Sequence, residues 1–384
     1  MKKIIRGIFL VVLVITLQSS VRNSIATFHK ATQLVHSIYG RYYEDKTNGS
    51  LVYSISGTRV EVALSSTHFD LILESLSGAD SSQWNWILLT LDHEKIDTIY
   101  LKPGKHSYPI RLSGSEKDIH TVSWLKCTES FVGAIKFHGI MFHNGSKVAD
   151  VREVMKPNFL FIGNSITCGY GNMVSLNPPN QNPLTGFHAV NENAYESYAM
   201  KTGRMLSSKV ELVSYSGIGM YRNFNGDTNQ TMPKIFDRVL LHDPNSPKWN
   251  HRQSNFDIII INLGTNDYYL ESKDNPLDET AFVRAYIQFV ERLLELYPKA
   301  QVVCTNGSML NDGWPQGKKC FTRVQQNIKD VCSYFQTKGN QQVHSFFFQT
   351  QKGPYGEDYH PSIKTHEEMA VSLSNYIKQQ TWWK

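Results

Sequence analysis

Three short stretches of this 384-residue chain carry the residue types that acyl transfer needs. The first is Phe161-Ile162-Gly163-Asn164-Ser165-Ile166-Thr167-Cys168-Gly169-Tyr170-Gly171. A serine just past an apolar run presents its hydroxyl at the carboxyl edge of a sheet, where backbone N–H groups of the next turn can face a developing oxyanion. Gly163 permits a tight exit from the strand. Position 167 is Thr, so this is not the Gly-x-Ser-x-Gly elbow of the α/β-hydrolases. No Gly-Lys-Ser/Thr follows, so it is not a phosphate loop. The second stretch, Ile261-Asn262-Leu263-Gly264-Thr265-Asn266-Asp267, offers the neutral amide donor of Asn266, which suits an oxyanion because it brings no competing charge. The third, Gly356-Glu357-Asp358-Tyr359-His360-Pro361-Ser362, offers His360. An imidazole with an ordinary pKa near 6.5 can take a serine proton at neutral pH, and Asp358 or Glu357 could orient its ring. Taken singly, each stretch has a plain structural reading as a cap, an Asx turn or a surface loop. The combination points to a nucleophile, a base and an oxyanion donor.

The surrounding pattern supplies elements to hold them. From Asn158 onward strands alternate with helices. Phe159–Ile162 is a short continuous apolar run, typical of a strand buried on both faces, and Phe256–Leu263 is the strongest strand signal in the chain. Further strands are expected at Val210–Val213, Gln301–Thr305 and His344–Phe348. Helices are expected at Ala194–Leu206, Asp278–Tyr297, Cys320–Phe335 and His366–Gln379, with Asp278 as an N-cap and Pro298 as a stop. Repeated β–α alternation implies a parallel sheet flanked by helices, and such sheets bind ligands outside the carboxyl ends of their strands. Each of the three stretches follows a different strand or opens the last helix. Trp314, on a loop after the strand ending near Thr305, lies at the same edge, where its ring could stack on a sugar or anchor the loop.

Upstream the texture differs. Between about Leu51 and Met141 the chain is short alternating runs separated by turns: Val60, Val62 and Leu64; Phe69, Leu71 and Leu73; Ile96, Ile99 and Leu101; Ile135, Phe137 and Ile140. Period two with frequent turns predicts a β-sandwich. The expected division is a signal peptide or N-terminal anchor over 1–26, a β-sandwich over 27–152 and an α/β domain over 153–384. The leader is read from Met1-Lys2-Lys3 and Arg6 before an apolar run, Ile8 to Leu17, that is too short to cross a bilayer comfortably. It predicts an exported protein, periplasmic or secreted, with no stable membrane association once processed. With 39 basic and 34 acidic residues the net charge is +5, and no basic run interleaves with aromatics, so nucleic acid is not an expected partner. Five cysteines make no disulfide framework and lack zinc-site spacing. One bridge, Cys304 with Cys320, or five free buried thiols are the alternatives.

Gly-Asn-Ser-Ile-Thr, Gly-Thr-Asn-Asp and Asp-Tyr-His-Pro, in this order, resemble the first, third and fifth blocks of SGNH (GDSL-like) hydrolases, over roughly residues 157–380. Ser214-Tyr215-Ser216-Gly217-Ile218-Gly219 resembles the second block. The longer strings, behind a β-rich domain, are similar to carbohydrate esterase family two, the two-domain acetylxylan-esterase-like enzymes. That resemblance implies an SGNH-type, flavodoxin-like sheet preceded by a jelly-roll sandwich. It implies Ser165 as nucleophile and His360 as base. The N–H groups of Ser165 and Gly217 and the amide of Asn266 would be the oxyanion donors, with Gly219 as the alternative register for Gly217. The acid is implied at Asp358, with Glu357 or a backbone carbonyl as the alternatives. Asn164 stands where the family often has Asp. Trp314 is implied in sugar binding. The implied reaction removes O-acetyl groups from a carbohydrate such as xylan or glucomannan through an acetyl-enzyme, without metal or organic cofactor. Other acyl esters of lipid, peptidoglycan or aryl type, or a catalytically idle glycan-binding protein, are the rival readings. A sugar sulfatase or phosphatase finds no metal-ligand spacing, and a glycosidase would leave the Ser, Asn and His stretches unexplained.

Overall fold

A computed structural model describes residues 26–34, 36–112, 118–143, 148–149, 157–271 and 275–383. The expected leader segment 1–25 and the junction at residue 152 lie outside these. Alternation upstream becomes two six-stranded antiparallel sheets. One runs Tyr43–Asp45, Ser50–Tyr53, Ile135–Phe142, His68–Ser75, Gly104–Arg111, with Thr27–Lys30 also on Ile135–Phe142. The other runs Val148–Ala149, Arg59–Leu64, His120–Lys126, Trp86–Leu91, Glu94–Tyr100, with His36–Tyr39 also on Arg59–Leu64. Val60, Val62, Ile87 and Trp124 from one sheet bury against Phe69, Leu71, Leu73 and Phe137 from the other, as a period-2 sandwich requires. The Ile135, Phe137, Ile140 spacing breaks strict alternation because a bulge falls between Phe137 and Gly139. Of the run Ile96, Ile99 and Leu101, Leu101 is buried in the sandwich core and Ile99 packs against it, but Ile96 is 42% exposed on the edge strand Glu94–Tyr100.

The second half is a five-stranded parallel sheet. Its order is Lys209–Ser214, Asn158–Gly163, Ile258–Asn262, Gln301–Thr305, Val343–Phe346, or 2-1-3-4-5 by sequence. This is the flavodoxin-like order, whose topological switch point lies between the first and third strands. Ile258 to Ile261 are wholly buried, as the apolar run foretold. Helices Tyr198–Met205 and Ile363–Lys378 pack on each other, as do Glu279–Leu296 and Cys320–Thr337. Asp278 caps its helix by accepting from Ala281 N–H. The expected helix from Ala194 is instead a 3-10 turn, Ala194–Glu196, followed by an α-helix capped at Ser197, whose side chain accepts from Met200 N–H. The last helix starts at Ile363, earlier than the apolar pattern showed.

The halves have separate cores that one strand joins. Along Trp86–Leu91, Ile87 and Leu89 face the sandwich core, whereas Trp86 and Leu88 join Leu125 and Cys127 against the α/β core. Trp86 Nε1 donates to the Ala189 carbonyl at 2.9 Å. All five cysteines are buried and free, so the Cys304–Cys320 bridge does not form. Among the described residues no helix is long and apolar enough to cross a membrane.

Candidate active site

Ser165 opens a one-turn helix, Ser165–Cys168, directly at the end of the first parallel strand. Asn164 caps that turn by accepting from Ile166 N–H at 3.1 Å, and Gly169 ends it. Asn164, where the family often has Asp, therefore does structural work that needs only a side-chain oxygen. The glycine at 163 answers to crowding: a Cβ there would lie 2.0 Å from Thr167 Oγ1. Ser165 itself is 7% exposed.

His360 comes from the loop before the last helix. Its Nε2 lies 2.8 Å from Ser165 Oγ, 195 residues away in sequence. Nδ1 lies 3.0 Å from the backbone carbonyl of Glu357. That carbonyl can only accept, so Nδ1 carries the proton and Nε2 is left to accept from the serine. The Tyr170 ring stacks on the imidazole at 4.0 Å between centroids and 25°. Loss of water around His360 pulls its pKa down to about 4, while the Glu357 carbonyl and the Asp358 charge pull it upward.

The carboxylates sit elsewhere than the sequence suggested. Asp358 does not bond to the imidazole: its Oδ2 accepts from Tyr170 OH at 2.6 Å and its Oδ1 from Gly186 N–H at 3.0 Å. The reason is local. Asp358 and Tyr359 both have left-handed backbone, φ 48° and 61°, which turns the Asp358 side chain away from Nδ1 and brings the Glu357 carbonyl to it. The Glu357 carboxylate accepts from His188 N–H and Nδ1 and from Asn191 Nδ2, at 3.0, 2.8 and 2.7 Å. It ties the His360 loop to the segment around residue 190.

Three candidate donors follow the ends of three adjacent parallel strands. The N–H groups of Ser165 and Gly217 have no acceptor among the described residues. Gly219 N–H is engaged by Asn223 Oδ1 at 2.9 Å, which favours the register at Gly217. Gly217 is left-handed at φ 75°, and a Cβ there would meet the Phe224 ring at 2.5 Å. Asn266 Nδ2 donates one hydrogen to the Ile218 carbonyl at 2.8 Å and keeps the other. Next to it, buried Asp267 accepts from the N–H groups of Met220, Tyr221 and Arg222 at 2.9, 2.7 and 2.9 Å. The Gly217 loop is thus latched to the Asn266 helix. Sequence reasoning passed over Asp267, although it ends the Gly-Thr-Asn-Asp string, and over Tyr170, although it lies five residues past Ser165.

Trp314 is 59% exposed, on a loop held by Asn311 Oδ1. Its ring centroid lies 6.2 Å from that of Tyr269, which lies 6.4 Å from that of Phe224, beside Gly217. Tyr269 and Phe224 are 53% and 50% exposed. An open row of aromatic rings therefore leads away from the Gly217 loop. Two clusters of metal-capable side chains occur among the described residues, His68/Asp70/His143 and Glu129/Cys168/Glu192; neither includes Ser165, His360 or Asn266.

Residues 161–367, more than half the chain, match the GDSL-like lipase/acylhydrolase family. The chain belongs to that family. Residues 38–151 match the N-terminal domain of carbohydrate esterase 2, the two-domain plan expected from the sequence. The cellulase/esterase CelE of Acetivibrio thermocellus is 31% identical over 332 residues, 85% of this chain but 37% of CelE. An acetylxylan esterase/glucomannan deacetylase of Cellvibrio japonicus is 25% identical, covering 88% of this chain and 86% of its own. Among solved structures, a family two carbohydrate esterase from Clostridium thermocellum in complex with cellohexaose is 26% identical with a TM-score of 0.78, over 91% of this chain and all of the other.

Proposed function

We propose that this chain is a serine esterase that removes O-acetyl groups from a xylan-like or glucomannan-like polysaccharide or oligosaccharide through an acetyl-enzyme. The observation that carries the reading is the 2.8 Å approach of Ser165 Oγ to an imidazole nitrogen free to accept. His360 takes the serine proton as Oγ adds to the ester carbonyl. The oxyanion receives hydrogen bonds from the N–H groups of Ser165 and Gly217 and the amide of Asn266. His360 returns the proton to the sugar oxygen, which leaves as an alcohol. Water, deprotonated by the same nitrogen, then releases acetate and regenerates Ser165. The Glu357 carbonyl holds the ring through both halves of the cycle.

The substrate class is supported by the names of the Cellvibrio relatives and by the cellohexaose held by the clostridial structure. The row Phe224, Tyr269 and Trp314 gives this chain apolar faces on which sugar rings can stack. The basic, apolar N-terminus supports export. The test is release of acetate from acetylated xylan, acetylated glucomannan and acetylated monosaccharides, beside longer acyl esters. Ser165→Ala should lower kcat by about 10⁶-fold, the scale of nucleophile removal in serine hydrolases. Activity near wild type in that variant would overturn the assignment. Glycan binding without any acetate release by the wild type would favour a binding protein.

A further inference from the structure

The nucleophile, base and oxyanion loop all belong to the α/β half, yet the sandwich reaches the loop. Glu129 follows the strand His120–Lys126 and is fully buried. Its Oε2 accepts from Ser216 N–H at 2.7 Å, and its Oε1 accepts from Ser216 Oγ. The residue after Ser216 is Gly217. A carboxylate that takes both hydrogens of one residue fixes the position of that residue and the plane of its peptide, and the next N–H along the chain is the proposed oxyanion donor.

The carboxylate is itself held. Glu192, also fully buried, accepts from Glu129 N–H through Oε2 at 2.8 Å, and its Oε1 has no hydrogen-bond partner among the described residues. The two carboxyl groups and Cys168 Sγ lie within 4.8 Å of one another. Burial raises the pKa of both acids, and the charge of Glu129 raises that of Glu192 further. Glu129 is held by the two hydrogens of Ser216, and Glu192 is the acid that its neighbour's charge pushes further upward. The cation that acts on both acids is Lys126: burial pulls its pKa down to about 7, and Glu192 and Glu129 push it back upward. Its Nζ meets three acceptors: Thr128 O at 2.7 Å, Thr128 Oγ1 at 2.9 Å and Glu129 O at 3.1 Å. Thr128 gives its own hydroxyl proton to Asn85 Oδ1, so it accepts from Lys126. Three acceptors for three protons is the pattern of an ammonium. A buried, fully connected network of this kind is rigid, and removing one member leaves the others unmatched.

We propose that Glu129, supplied by the β-sandwich, is a positioning residue for the esterase reaction: it clamps Ser216 so that Gly217 N–H meets the oxyanion. The sandwich thereby completes the active site of its neighbour. The inference rests on the esterase reading above, and the experiment separates the two. Wild type, Glu129→Ala, Glu129→Gln, Ser216→Ala and Glu129→Ala/Ser216→Ala are compared on a chromogenic acetate ester. Rates are given per active site titrated with a fluorophosphonate, so that misfolded protein does not count. An oxyanion donor is worth roughly 10²–10³ in kcat; moving one should cost about 30–100-fold in Glu129→Ala with KM within about twofold. Ser216→Ala, which keeps the N–H bond, should lose only about 3–10-fold, and the double variant should be no worse than Glu129→Ala. Glu129→Gln, which keeps one acceptor oxygen, should fall between. If Glu129→Ala and Ser216→Ala both keep kcat per titrated site within twofold, or if the losses lie wholly in KM, the positioning role is overturned and the esterase reading stands. If wild type cleaves no ester, the esterase reading falls and takes this role with it.

Discussion

Replacing Asp358 by Asn tests how His360 is held. In a serine triad whose carboxylate bonds directly to the imidazole, the Asn exchange costs about 10⁴ in kcat because it fixes the wrong tautomer. Here the tautomer is set by the Glu357 carbonyl, 3.0 Å from Nδ1, and Asp358 stands one phenol ring away. Tyr170 stacks on the imidazole at 4.0 Å and donates to Asp358 at 2.6 Å. The carboxylate charge is therefore on the order of 7 Å from the ring, worth about 2 kcal/mol to an imidazolium at an effective dielectric of about 20, and about 0.6 kcal/mol at 80. Asn keeps an acceptor for Tyr170, so that Coulomb contribution is most of what is lost. The expected fall in kcat is roughly 3–30-fold, with little change in KM. Tyr170→Phe, which keeps the stack and breaks the link, should cost no more. Initial rates of acetate release near pH 7 from purified, folded variants suffice. A loss of 10³ or more in Asp358→Asn with an intact fold would show that the carboxylate orients His360 directly, and the reasoning from the carbonyl would be wrong.

The remaining expectations are shorter. Because burial lowers the His360 pKa to about 4, the imidazole is mostly neutral from about pH 5 upward; if it is the base, kcat/KM should hold nearly flat from pH 7 to about 5 and halve near 4, and a midpoint at 6.5 would contradict it. Trp314→Ala should raise KM on acetylated xylan about 3–10-fold and leave a small chromogenic acetate unaffected; equal effects on both would remove the ring from sugar binding. His366 is buried, accepts Tyr198 N–H at Nδ1 and has its pKa pulled by burial to about 3. Below 6.5 the unfolded chain binds a proton that the folded chain refuses, so this histidine's contribution falls as the solution is acidified, by about 1.4 kcal/mol per pH unit. Urea melts at pH 7 and pH 5.5 should therefore show wild type losing about 1.4 kcal/mol more than His366→Gln.

The parts of the site that were legible in the sequence are those tied to strand ends. Ser165, Asn266 and Gly217 each follow a parallel strand directly, and a buried apolar run marks such a strand without knowledge of its partners. The sandwich was legible for the same reason, apart from its bulge and its exposed edge. What was not legible depends on backbone turns and distant contacts. Asp358 lies at the right spacing for a triad acid, and only the left-handed turn at Asp358 and Tyr359 shows that its carboxylate leaves the ring. Glu129 meets Ser216 across 87 residues, and no local pattern separates it from the surface acids around it. The helix beginning at Ala194 failed because Ser197 both caps one helix and ends the turn before it.

The strand Trp86–Leu91 belongs to two interiors at once. Heat should therefore melt the molecule in a single calorimetric transition, since neither half can open without stripping apolar contacts from the other. Cut free, the sandwich would turn Trp86, Leu88 and Leu125 toward water and self-associate. A segment so bound to its neighbour cannot be shuffled between enzymes as an independent cassette: any lineage that inherits one half must inherit, or rebuild, the matching surface of the other.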